Sequence, residues 1–128
     1  MSDRASLFPH DWLSKAEADM QTTEILLAHG GDMGIAAMHV QQAVEKFLKG
    51  YLLSRGWTLE RIHDLPVLLD EAVKHTPELE AFRTLCEEVT AFYFAARYPF
   101  PVTPPAREEV EDIFRRAQDL ARRIKEII

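Results

Sequence analysis

The chain holds one cysteine, Cys86, so no internal disulfide can form and its own core must hold the fold together. No apolar run approaches the roughly 18 residues that a membrane-spanning helix needs, and no charged-then-apolar leader opens the sequence. The expectation is a cytoplasmic protein that makes no use of a membrane. Glycine is scarce, and none of it builds a phosphate loop: Gly30, Gly31 and Gly34 fall between two helices without the lysine spacing that such a loop requires. There is no Gly-x-Ser-x-Gly, and Cys86 sits on an apolar seam, so nucleophilic hydrolysis lacks its usual signature. Positive charge is not in excess either. Lys and Arg number 15 against 21 Asp and Glu, a net charge of −6, so any nucleic-acid contact would need a local basic patch. Among the five histidines, His10, His29, His39, His63 and His75, none pair at the i, i+4 spacing that lets two imidazoles on one helix share a zinc ion. Neither a metal nor a cofactor is expected.

What is present is helical periodicity. A length of 128 residues is about one domain, and residues 1–128 are expected to form it. A first helix is predicted from about Asp11, its cap, to Ala28, with Leu13, Ala16, Met20, Thr23 and Leu27 on one seam and Gly30-Gly31 ending it. A second runs from about Met33 to Arg55, with Ala37, Val40, Val44, Phe47 and Tyr51 inward and Gly56 as its stop. Asp64 caps a short helix from about Leu65 to Lys74. Thr76-Pro77 then opens a third long helix to about Ala96, with Leu79, Phe82, Cys86, Val89, Tyr93 and Ala96 on its seam. Residues 97–105 hold four prolines and break the pattern. The last helix is predicted from near Pro104 to the end. The expected fold is all-α, an antiparallel up-and-down four-helix bundle with an additional short helix before the third long helix.

Three fragments carry chemistry. On the second helix Gln42, Glu45, Lys46 and Lys49 recur at i, i+3, i+4 and i+7, a polar stripe that a plain core helix does not need. His63-Asp64-Leu65-Pro66 follows a turn, where Asp64 suits an N-cap and His63 is a titratable group able to face a cleft. Arg97-Tyr98-Pro99 closes a helix, and an arginine beside a tyrosine offers bidentate phosphate binding with a stacking face. On the last helix Arg115, Arg116, Arg122, Arg123 and Lys125 lie toward the C-terminal end, where they complement the helix dipole or could meet RNA phosphates. Trp12 and Trp57 are expected in the core or an interface.

Gln41-Gln42-Ala43-Val44-Glu45-Lys46-Phe47-Leu48-Lys49, His63-Asp64-Leu65 and Arg97-Tyr98-Pro99, in this order, resemble the HEPN family of small helical proteins, in its branch marked by a QQAxEKxLK helix, an HDL turn and an RYP corner. The resemblance runs from about Trp12 to the last helix and implies the same bundle. Many HEPN proteins are metal-independent ribonucleases, often toxins of toxin–antitoxin pairs with a minimal nucleotidyltransferase, and resemble one another in an Arg-x4-6-His motif. There, arginine stabilises phosphorane charge and histidine moves a proton. Here Arg97 stands near the arginine position, but Val102, Thr103 and Pro104 occupy the places for the histidine, and Arg4–His10 precedes the first helix. The sequence is closer to the family's non-catalytic members. The resemblance therefore implies a homodimeric binding module with a nucleotidyltransferase partner and a possible nucleotide or RNA ligand. Arg97, Tyr98, Gln42, Glu45, Lys46 and Lys49 are its ligand-binding candidates. The alternatives are a ribonuclease using Arg97 and His63, with Lys46 assisting, and a nucleotide-binding domain without chemistry. Leu48, Leu52 and Phe94 fall outside the seams and are expected to form an apolar dimer patch.

Overall fold

A computed structural model of the chain describes residues 5–97 and 104–128, without the side chains of 95–97. Among the described residues there are five α-helices: α1 Pro9–Ala28, α2 Met33–Ser54, α3 Leu65–His75, α4 Arg83–Arg97 and α5 Arg107–Ile127, with a 3-10 segment, Pro77–Phe82, between α3 and α4. The four long helices form the expected bundle. The helix ends follow local chemistry. Gly30 and Gly56 take positive φ (69° and 83°) just past α1 and α2. There the next amide folds back on the helix, Gly31 N–H to Leu26 O at 2.8 Å and Trp57 N–H to Leu52 O at 3.0 Å. Asp64 caps α3, its carboxylate accepting the Val67 amide at 3.2 Å, and Leu65 drops into the core. Asp64→Ala should lower unfolding free energy by ~0.5–2 kcal/mol in a urea titration. An unchanged midpoint would show that the cap is dispensable.

Three predicted starts move. Helix α1 begins at Pro9, not Asp11, because a proline at the first position needs no donor; Asp11 lies inside the first turn and accepts from Ser6 Oγ at 2.6 Å. The third long helix does not run from Pro77: residues 77–82 tighten into the 3-10 form and the α-helix opens at Arg83, which bonds Glu80 and the Pro66 carbonyl. The last helix opens at Arg107, past both prolines, with the Glu109 carboxylate accepting the Ala106 amide at 2.8 Å.

The one-seam description fails for α2. This helix lies at the centre, in contact with all four others, and buries Ala43, Val44, Phe47, Leu48, Tyr51 and Leu52 together. Leu48 and Leu52 are fully buried and form no surface patch; of the three residues named for one, only Phe94 is exposed. They lie off the first seam because α2 has partners on several sides and buries apolar residues toward each of them. Gly50 allows a close approach of α1. A Cβ there would lie 3.2 Å from the Pro9 carbonyl oxygen and 3.3 Å from Trp12 Cβ, so α1 lies directly against α2 at this level.

Cys86 is buried on α4, and desolvation pushes its thiol up to about 12. The unfolded chain releases this proton near 9.0 while the folded chain keeps it, so this group's contribution to stability is complete below that pH and is lost between the two values. Native protein should leave a thiol-disulfide reagent unconsumed at mildly alkaline pH and react once urea unfolds it. Rapid labelling of the native protein would place the thiol at the surface.

Candidate functional site

The polar stripe of α2 divides into two clusters. Lys46 turns toward α1, where its Nζ donates to Asp19 Oδ2 at 2.6 Å while His39 Nδ1 lies 2.9 Å from Asp19 Oδ1. That cluster ties α1 to α2. The other cluster centres on Glu45, whose side chain is 8% exposed. Its Oε2 accepts from Lys49 Nζ at 3.1 Å and faces His63 Nδ1 at 3.0 Å; its Oε1 takes Gln41 Nε2 at 3.3 Å. Gln42 Nε2 donates in turn to Gln41 Oε1 at 2.9 Å. Lys49 is as buried as its partner, and its ammonium stands 5.7 Å above the Trp12 ring. Trp12 in turn donates its indole N–H to the Ser6 carbonyl at 2.8 Å. Trp12 is therefore a packing partner of a buried cation, as expected of an anchor, and Trp57 packs half-buried against the core.

His63, 73% exposed, bridges from the segment before α3 to this carboxylate. Two hollows share Glu45 and His63. One, of about 380 Å³, is walled by Gln41 and Gln42 of α2, by Asp64, and by Thr90, Tyr93 and Phe94 of α4. The other, of about 440 Å³, continues past Lys49 to Trp12 and Arg61. Tyr93, assigned by periodicity to the seam, is half-buried at the first hollow instead. Helix α4 carries Tyr93 and Phe94, 6.1 Å apart and edge-to-face, and reaches Arg97 one turn later. Of the candidates from sequence, Gln42, Glu45, Lys49 and His63 come together, and Lys46 lies apart with Asp19. Arg97 is the last residue of α4, and Tyr98 falls outside the described residues. Sequence reasoning missed Gln41 and Thr90. Gln41 had a signal: it precedes Glu45 by four residues and Lys49 by eight, one turn and two turns of the same face. Thr90 had none, since its hydroxyl reads as an ordinary back-bond to the Cys86 carbonyl, which it makes at 2.7 Å.

The basic residues of α5 are held in ion pairs, Arg116 with Glu88 and Asp112, Arg123 with Glu78 and Glu126, Arg122 with Asp119 and Lys125 with Glu17. Each of these cations thus already has an acidic neighbour on the bundle surface. Among the described residues no group of three His, Cys, Asp or Glu is placed to hold a metal ion, and no helix is long and apolar enough to cross a membrane.

Fold and site together define an all-helical bundle with a polar cleft sunk into its central helix. The family model of the HEPN domain matches residues 9–127, and the chain belongs to that family. Among solved structures it is similar to TT1696 from Thermus thermophilus, with a TM-score of 0.79 and 28% identity over 94% of this chain and 98% of that one. It is also similar to ST0689, an archaeal HEPN homologue, with a TM-score of 0.72 and 22% identity over 93% of this chain and 96% of the other. No curated protein matches the sequence.

Proposed function

We propose that the protein is a non-catalytic HEPN binding module that holds a nucleotide, free or at the end of an RNA strand, in the cleft between α2 and α4. The observation that carries this reading is the cleft itself. It combines carboxamide, carboxylate, imidazole and hydroxyl groups with the rings of Tyr93 and Phe94, the mixture that recognises an unstacked base. Arg97, one turn beyond Phe94 on α4, is the group proposed to meet the phosphate, and Tyr98, the next residue in sequence, is proposed to act with it. Glu45 lies at the cleft floor with Lys49 paired behind it, while Lys46 stands apart against α1 with Asp19. The chain is proposed to act as a homodimer in company with a minimal nucleotidyltransferase, in a toxin–antitoxin arrangement. Phe94, 54% exposed at the cleft rim, supports the pairing of two copies. Titration calorimetry with nucleoside monophosphates should give saturable binding that Arg97→Ala weakens without unfolding the protein. Absence of binding to every nucleotide and to single-stranded RNA would remove the reading. Light scattering should give twice the chain mass at micromolar concentration; a monomer mass would remove the dimer.

A second reading is favoured by one contact. With Nδ1 held by Glu45, His63 resembles an imidazole oriented by a carboxylate for general-base work. In that reading Arg97 and His63 form a rearranged ribonuclease site. Cleavage of single-stranded RNA that persists in EDTA and disappears in His63→Ala would establish it; no turnover above background is expected.

A further inference from the structure

A groove of about 830 Å³ runs between α1 and α5 and shares no residue with the cleft. Buried Met20 and Ala121 and half-buried Phe114 line it. The two helices beside it are antiparallel. Arg107, at the start of α5, donates to the Leu27 carbonyl at 2.6 Å, and Lys125, near the end of α5, pairs with Glu17. Two rows of side chains flank the groove: Ser14, Ala18, Gln21 and Ile25 on α1, and Phe114, Gln118, Ala121 and Lys125 on α5. Both rows step by 4, 3 and 4 residues, so each follows one line along its helix. The α1 row is exposed at every position and carries no charge, in a chain of which 28% is charged. A helix face that meets only water ordinarily carries charge, so this one is composed for contact.

At the register set by those two contacts, Ile25 is level with Phe114, Gln21 with Gln118 and Ala18 with Ala121. The rows match step for step: apolar with apolar, amide with amide, small with small. Resting on the homodimer reading above, we propose that this face is where two copies of the chain pair, with α1 of each copy lying on α5 of the other. A two-fold axis parallel to the helices produces that arrangement, because it keeps every level and exchanges the two rows. Ile25 then packs on Phe114, the alanines let the helices approach, and Gln21 and Gln118 can exchange amide hydrogen bonds. The rims are complementary too. Glu17 and Glu24 stand on the α1 side of the groove, Arg122 and Lys125 on the α5 side. Glu17 and Lys125 are each about half exposed, so their pair is open to a second partner, and two copies bring four charges of alternating sign together. Helices of 20 and 21 residues, each about 30 Å long and packed about 10 Å apart, offer up to about 600 Å² a side, about 1,200 Å² in all, the lower end of what a stable dimer buries. The cleft rim offers one exposed ring, Phe94, by comparison.

Sedimentation and cross-linking of the full chain test this seat. Ala18→Arg places a charge at an exposed position in the middle of the α1 row. It should leave the helical circular dichroism unchanged and raise the dimer dissociation constant roughly 10-fold or more. Gln21→Cys protein mixed with Gln118→Cys protein and mildly oxidised should give a disulfide-linked pair of twice the chain mass. Either variant alone should give none, because neither row meets its own kind, and the native Cys86 is buried and takes no part. Gln21→Cys protein that links to itself without its counterpart would overturn the pairing of α1 on α5. A dimer untouched by Ala18→Arg but dissociated by Phe94→Ser would overturn this seat, leaving the homodimer in place with the cleft rim as its interface. A monomer mass for the unmodified protein would overturn both seat and homodimer, and would assign the groove to an occupant other than this chain.

Discussion

Phe47→Ala should lower the unfolding free energy by ~3–5 kcal/mol, the cost of deleting a fully buried phenyl ring and leaving its cavity. Phe47 has no solvent exposure and lies midway along the helix that every other helix touches. Its neighbours along the helix, Val44, Leu48 and Tyr51, are equally buried, so no solvated side chain is at hand to fill the hole. Tyr51 is held in place through its hydroxyl, which bonds Thr76, while Arg55 lies over its ring and reaches the Ile127 carbonyl. Collapse around the cavity would have to disturb contacts from α3 to the end of α5. For a domain with total stability on the order of 5–15 kcal/mol, the loss is a large fraction of the whole. The melting temperature should fall by about 10 °C or more. Phe47→Leu, which keeps most of the volume, should fall far less. A thermal melt unchanged by Phe47→Ala would mean that α2 is not the centre of the bundle.

The existence of five helices was legible from spacing and from the residues that punctuate them: Gly30, Gly56 and Asp64 act as read. Starts were less legible where two signals competed. Asp11 has the better capping side chain, yet Pro9 fixes the backbone two residues earlier; Pro77 permits a helix but does not say whether its first turns are 3-10 or α. Periodicity also under-read α2, because it assumes one buried stripe per helix and the central helix of a bundle has several. For the same reason the site was half legible. Polar residues at helical spacing marked α2 as unusual, but Lys46 and Lys49 lie three residues apart, and only the packing of α1 decides that one meets Asp19 and the other meets Glu45. That His63 should reach Glu45, 18 residues earlier, is a consequence of how the chain returns before α3, and no local pattern encodes it.

Removing one member of the buried pair should be the second large effect. Lys49→Met keeps most of the aliphatic stem but withdraws the ammonium, leaving Glu45 with neutral Gln41 and the exposed His63 as its partners. A buried charge stripped of its counterion costs about 3–5 kcal/mol, because the desolvation penalty remains while the compensating attraction is gone. The Trp12 ring loses its cation at the same time, which weakens the hold of α1 beside Gly50. Glu45→Gln alone should be destabilising for the complementary reason, an ammonium buried without its carboxylate. The double variant Lys49→Met with Glu45→Gln removes both charges at once and should recover much of the stability lost by either single change, since a well-packed neutral pair is often as stable as the ion pair it replaces. A double-mutant cycle in urea should therefore show coupling on the order of 1–3 kcal/mol. Additive losses would indicate two independently solvated groups. The folded double variant also separates structure from recognition: it keeps the bundle and the His63 ring but no longer holds an acceptor-only group against Nδ1. If the pair serves only the fold, the double variant should bind nucleotides as the unmodified protein does. If Glu45 sets what the cleft accepts, nucleotide affinity should fall in a protein whose stability is largely restored.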